Sequence, residues 1–144
     1  MISERARAIL DNHRSGPVAE IAALLSTGTE TDRLQLCIEV ITAAEQSHLT
    51  TQRWFAAARR VLSKGTSFIA VLHSGIPFMN ASTAKDWLEF GLHAGARRTI
   101  RLIERVRPDY PTQASWLDYW LPFLARTTLD QQLIHEHLRR QRTP

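Results

Sequence analysis

The sequence lacks several features by which a short chain usually reveals its chemistry. It has one cysteine, Cys37, in 144 residues, which excludes a disulfide framework. No serine stands in a Gly-x-Ser-x-Gly setting, and no glycine-rich loop resembles a phosphate-binding motif. We therefore expect no catalytic residue, no cofactor and no metal site, and interpret the protein as a non-enzyme.

Long apolar runs and a secretory leader are also missing. No segment approaches the ~20 apolar residues that span a bilayer, and the first ten residues, MISERARAIL, do not combine a charged start with an apolar run. The hydrophobic content of 44% and the charged content of 22% are typical of folded globular proteins. With a single cysteine, these features predict a cytoplasmic protein that does not interact with membranes.

Lysine is scarce, because all but two of the 18 basic residues are arginine. Residues 1–48 carry seven acidic residues and four arginines, a balance of −3, whereas residues 49–144 have a balance of +7. This asymmetry predicts an anionic partner or a contact with the acidic end of a second copy of the chain. Arginine suits bidentate binding of carboxylate or phosphate, although a genome rich in G and C produces the same excess.

Glycine and proline, six of each, fall mostly between segments of helical periodicity. Residues 67–73 fit a buried strand or a buried helix, and we predict a helix because no partner strand is evident. The fold predicted is all-α: a compact multi-helix domain of about eight helices, with stacked pairs of the α-solenoid type as an alternative, and with residues 1–144 as a single domain. The helices are predicted at about 3–13, 18–25, 31–46, 51–63, 67–73, 84–106, 113–126 and 129–141.

Three of the four tryptophans follow a threonine by four residues. A threonine hydroxyl can accept a hydrogen bond from the first turn of a helix, and a large ring at the fourth position can pack back over that turn. The pattern predicts three helix starts, each capped by its threonine; the pairs are Thr50 with Trp54, Thr83 with Trp87, and Thr112 with Trp116.

The long helix predicted at 84–106 carries a basic stripe. His93, Arg97, Arg101 and Arg105 recur every four residues, with Arg98 beside them. Trp87 and Phe90 lie near the same angular sector, so the stripe could hold phosphates and stack on bases. The alternative is that these two rings are buried and the arginines are simply solvated.

A second candidate surface is the segment from Trp116 to Phe123. Trp116, Tyr119, Trp120 and Phe123 stand at i, i+3, i+4 and i+7, on one side of a helix. Large aromatic side chains dominate both binding hot spots and hydrophobic cores, so both roles stay open. Pro122 is expected to kink the helix or restart it.

The leading hypothesis is a non-catalytic protein-interaction module, an adaptor or an inhibitor-like regulator of a protein with an acidic surface. The partner-binding residues would be Arg97, Arg98, Arg101, Arg105, Trp116, Tyr119, Trp120 and Phe123. A nucleic-acid-binding protein is the first alternative, with Arg53, Arg59 and Arg60 adding to the stripe. A small enzyme is the second, and it requires a pocket that gathers Glu89, His93 and another polar group.

Overall fold

The computed structural model describes residues 2–142, and all the regular elements in this part of the chain are helices, which confirms the all-α prediction. The chain divides into two compact units, one of residues up to Ser67 and one of residues from Phe68 onward. The boundary falls inside the helix predicted at 67–73, which is a helix and not a strand. Assignment of 1–144 to a single domain stays a prediction.

The first unit is built around its longest helix, the third. The helices are α1 (Glu4–Asn12), α2 (Val18–Leu25), α3 (Glu30–Gln46) and α4 (Gln52–Val61), followed by α5 (Gly65–Gly75), whose first turn belongs to this unit. α3 packs against the two helices before it and the one after it, and α2 also packs against α4. Fully buried side chains such as Leu10, Ile21 and Trp54 form the core.

The start of α3 is held by a network centred on Glu30. Its carboxylate accepts hydrogen bonds from the Ser63 backbone N–H at 3.1 Å and from the Ser63 and Ser67 hydroxyls, each at 3.0 Å. Arg33 adds an ion pair at 3.3 Å. Burial raises the pKa of Glu30, but these hydrogen bonds outweigh it and lower the pKa to about 2.

Glu30 is therefore expected to make the stability of the protein depend on pH. A carboxyl group whose pKa is depressed by folding stabilises the native state above its usual pKa of 4.5, and this contribution disappears as the pH falls toward 2. At pH 7, Glu30→Gln should lower the free energy of unfolding by about 2 kcal/mol. In urea titrations, the difference in the free energy of unfolding between wild type and Glu30→Gln should disappear as the pH approaches 2.

The exposed Glu4 provides a control for this prediction, since Glu4→Gln removes the same charge from another helix start. It should change the free energy of unfolding by less than about 1 kcal/mol at any pH. If the difference in the free energy of unfolding between wild type and Glu30→Gln stayed constant from pH 7 to pH 3, it would contradict the lowered pKa of Glu30.

The only cysteine of the chain, Cys37, is buried in α3. Burial and the nearby Glu30 carboxylate raise the pKa of its thiol to about 12, against the opposing effect of Arg33. The thiolate is the reactive form of cysteine. The side chain is therefore an unreactive thiol at neutral pH.

The second unit contains the rest of α5 and four further α-helices. They are α6 (Ala84–Gly91), which is followed by a 3-10 turn (Leu92–Ala94), α7 (Ala96–Val106), α8 (Pro111–Leu124) and α9 (Thr128–Arg142). α6 packs against α8, and α7 packs against α9, while α8 contacts both α7 and α9. The first unit also packs α1 against α3 and α2 against α4, so in both units a helix packs against the next but one.

The prediction of one helix over 84–106 is wrong, because the helix is interrupted at Gly95. This residue has φ +99°, a conformation that L side chains rarely adopt, and it separates the 3-10 turn from α7. The split raises the number of α-helices among residues 2–142 to nine. Gly91 allows the side chain of Leu72 to approach its backbone closely, since a Cβ at this position would meet that side chain.

The threonine–tryptophan pattern marks three helix starts, but the threonines do not cap them. The residues before α4, α6 and α8 are Thr51, Thr83 and Tyr110, and none makes a side-chain cap. The Thr83 hydroxyl instead donates to the carbonyl of Asn80 at 3.3 Å. The capping part of the prediction is therefore wrong.

Candidate functional site

Helix α8 carries four aromatic side chains along one side, as the spacing predicted. Tyr119 is 62% exposed and Phe123 is 67% exposed, while Trp116 and Trp120 are half-buried. The rings of Tyr119, Trp120 and Phe123 form a cluster with centroid separations of 5.1, 5.6 and 5.9 Å. We call these four residues the aromatic face.

The opposite side of α8 explains why these rings stay outside the core. Ala114, Leu117 and Leu121 are fully buried, so they supply the apolar stripe by which α8 packs. The helix continues through Pro122 and ends two residues later at Leu124, so the predicted restart does not occur. The aromatic face is therefore carried by a single uninterrupted element.

A cation also lies against the aromatic face. The ammonium nitrogen of Lys85, at the start of α6, is 5.4 Å from the centroid of the Trp120 ring. This distance lies within the range of a cation–π contact. The half-buried Trp120 thus has a partner, whereas the outer rings of Tyr119 and Phe123 remain largely open to solvent.

The predicted arginines all lie on the outer side of α7. Arg97, Arg98, Arg101 and Arg105 are exposed, and none of their side chains forms a hydrogen bond or ion pair with another residue in the described part of the chain. We call them the arginine row. Since α7 rises about 1.5 Å per residue, the row extends over about 12 Å.

The aromatic neighbours expected beside the arginine row are not available for stacking. Trp87 is 0% exposed and Phe90 is 2% exposed, so both belong to the core. His93 lies before the break at Gly95 and is not part of α7. The stripe predicted on one helix is therefore only the α7 arginines, without stacking platforms of its own.

A groove of about 240 Å³ connects the two candidate surfaces. Phe123, from the aromatic face, lines it, and so does Ala96, which immediately precedes the arginine row. Leu92, Leu124 and Ile134 add apolar surface. The groove is thus the place where the end of α8 and the start of α7 meet.

Four ionisable side chains line the same groove. Glu89 and Asp130 are half-buried, whereas His93 and Arg126 are exposed. The His93 ring packs against Phe68 at 5.5 Å and Phe90 at 6.3 Å between centroids. Glu89 and His93, which the enzyme alternative requires in one pocket, therefore line the same groove, together with Asp130 and Arg126.

Sequence reasoning missed a second cluster, around His137 on α9. This side chain is fully buried, with Nε2 2.7 Å from Asp118 Oδ1 on α8 and Nδ1 3.2 Å from Glu104 Oε1 on α7. Arg107 Nη2 lies 2.8 Å from Asp118 Oδ2, and Arg140 Nη2 lies 3.5 Å from Glu104 Oε1. We call this group the His137 network.

The His137 network joins three helices through ionisable side chains. Carboxylates only accept hydrogen bonds when ionised, so both ring contacts are hydrogen bonds when the imidazole carries two protons. Glu104 contacts His137 and Arg140 rather than the arginine row, which it borders in sequence. The network is closed off from solvent at its centre, and we assign it a structural role.

Comparison with protein-family models, curated proteins and solved structures finds no match to this chain. Among residues 2–142, three or more histidine, cysteine or acidic side chains nowhere gather as they would to hold a metal ion. In the same residues, each helix is too short or too polar to cross a membrane.

Proposed function

We propose that this protein is a non-catalytic binding module that recognises another protein through the aromatic face. The observation that carries the proposal is the exposure of Tyr119 and Phe123, about two-thirds of each side chain, on one rigid helix. Tyrosine and tryptophan are enriched among hot spots of protein interfaces. A regulator or adaptor would use such a face to seat a partner.

Covering the exposed rings of Tyr119 and Phe123 with a partner would be energetically favourable. Covering apolar surface contributes about 25 cal/mol per Å², and fixing an aromatic side chain costs little conformational entropy because it has only two side-chain torsions. The large rings of Trp54 and Trp87 show that this chain can bury its aromatic residues when they serve packing. The aromatic face is thus suited to binding rather than needed for the core.

The arginine row supplies the electrostatic part of the proposal. Four exposed guanidinium groups without partners among the described residues produce a positive field. Such a field attracts an acidic surface and raises the association rate more than the final affinity. We therefore propose a protein partner whose surface is acidic where it faces the arginine row.

The double change Tyr119→Ser with Phe123→Ser tests the aromatic face. Because both side chains are mostly exposed, the free energy of unfolding should change by less than about 1 kcal/mol. Affinity for the partner should fall at least about tenfold, as expected for paired hot-spot residues. The partner is first captured in cells by a photo-crosslinking amino acid at position 119, and its binding to purified variants is then measured by calorimetry.

Leu129 offers a matched control, because it is 61% exposed and lies on α9. A crosslinker at position 129 should not capture the same protein, and Leu129→Ser should bind it normally. Equal capture at both positions, or unchanged affinity of the double variant, would contradict the proposal.

Nucleic-acid binding is the alternative that the unpaired arginine row favours. Fluorescence anisotropy with single-stranded RNA and duplex DNA would reveal it, since phosphate contacts make affinity fall steeply with salt. Replacing Arg97, Arg101 and Arg105 by glutamate should abolish such binding. Failure to bind either nucleic acid at low salt would exclude this alternative. The enzyme alternative rests on the polar groups of the groove alone.

A further inference from the structure

We propose that the groove between the end of α8 and the start of α7 binds an arginine side chain presented by the protein partner. This inference rests on the proposed function and specifies what the partner places beside the aromatic face. It follows from the unpaired carboxylates in the groove, the apolar surface around them and the ring at its side.

Two acidic side chains, Glu89 and Asp130, line the groove. Both are half-buried, and neither accepts a hydrogen bond or forms an ion pair with any residue between 2 and 142. A carboxylate without a partner at the wall of a partly apolar groove forms a charge-assisted hydrogen bond with an incoming cation. The groove is therefore complementary to positive charge.

The exposed Arg126 does not fill this role, because it forms no ion pair with either carboxylate. The His93 ring packs on the buried rings of Phe68 and Phe90. Glu89 and Asp130 therefore remain available to a cation that a bound partner supplies.

The shape of the groove favours a guanidinium group on an apolar stem. Its volume of about 240 Å³ is below the ~300–1,000 Å³ of sites for drug-sized ligands, and fits a single side chain. Ala96, Leu124 and Ile134 can pack against methylene groups. Guanidinium is planar, pairs bidentately with carboxylate and stacks on aromatic rings such as Phe123, which distinguishes arginine from lysine.

Nuclear magnetic resonance titration of the full chain with N-acetyl-arginine amide tests the inference. Saturable shifts are expected at the backbone amides of Leu92, Ala96 and Leu124. N-acetyl-norleucine amide keeps an apolar stem without the charge and should bind at least about tenfold more weakly than the arginine compound. N-acetyl-glutamate amide should bind no better than the norleucine compound. The double variant Glu89→Gln with Asp130→Asn should weaken arginine binding about tenfold.

A charge-matched control removes two exposed acids from elsewhere, Glu4→Gln with Asp109→Asn. It should bind N-acetyl-arginine amide as the wild type does, and both double variants should keep the wild-type circular dichroism spectrum. Three results would overturn the inference: no saturable shift, equal binding of the norleucine compound, or equal weakening by the control variant.

The same measurements separate this inference from the proposed function. Partner capture at position 119 without any binding of the arginine compound would overturn the inference alone. Binding of the arginine compound without a partner at position 119 would overturn the proposed function, and with it the claim that a partner supplies the arginine.

Discussion

Replacing Gly75 by alanine is expected to lower the free energy of unfolding by about 3 kcal/mol or more. A Cβ at this position would overlap the six-membered ring of Trp87, which is itself 0% exposed and cannot move outward without disturbing the core. Urea unfolding followed by circular dichroism measures the loss. Interiors packed at crystal-like density leave little room for an added methyl group.

Gly95→Ala is the matched control in the same unit. Nothing lies within 4 Å of a Cβ built there, so only the backbone strain at φ +99° and ψ 151° should matter, at about 1–3 kcal/mol, and Trp87→Leu should not reduce this loss. Trp87→Leu removes the ring that the new methyl group would overlap. The double variant with Gly75→Ala should therefore lose less unfolding free energy than the sum of the two single losses. Strictly additive losses, or a harmless Gly75→Ala, would show that the ring does not occupy this space.

The second large effect is expected at His137. His137→Leu removes the ring that contacts both Asp118 and Glu104, leaving the largely buried Asp118 carboxylate with Arg107 as its remaining partner. Leaving a buried polar group short of a hydrogen-bond partner costs about 1–3 kcal/mol, and more for a charged group, so we expect a loss near 3 kcal/mol. Thermal and urea unfolding both report it.

His135 on the same helix is exposed and serves as the comparison, so His135→Leu should change the free energy of unfolding by less than about 0.5 kcal/mol. In a double-mutant cycle, His137→Leu and Asp118→Asn should couple by more than about 1 kcal/mol. Independent effects of these two changes would contradict the His137 network.

Local patterns predicted the helices because each depends on neighbours along the chain. The apolar run at 67–73 became α5, and the spacing of four aromatic residues placed the aromatic face on one side of α8. The break at Gly95 was missed because a single glycine within a periodic segment is compatible with a continuous helix. Only the positive φ of Gly95 reveals the break.

Charge was harder to interpret than hydrophobicity. Dividing the chain after residue 48 suggested an acidic end, but the first unit extends to Ser67 and includes Arg53, Arg59, Arg60 and Lys64. With eight basic and seven acidic residues, this unit is nearly neutral. The His137 network could not be predicted either, because its members come from three helices and share no local spacing.

The contact between Lys85 and Trp120 has a practical consequence for assays. Amine-directed dyes and resins can attach to only two lysine side chains in this chain, Lys64 and Lys85. Acylation of Lys85 would remove the ammonium group beside the Trp120 ring and attach a bulky adduct there. A screen with randomly acylated protein could thus mask the contact surface it is meant to probe, whereas a terminal affinity tag avoids the modification.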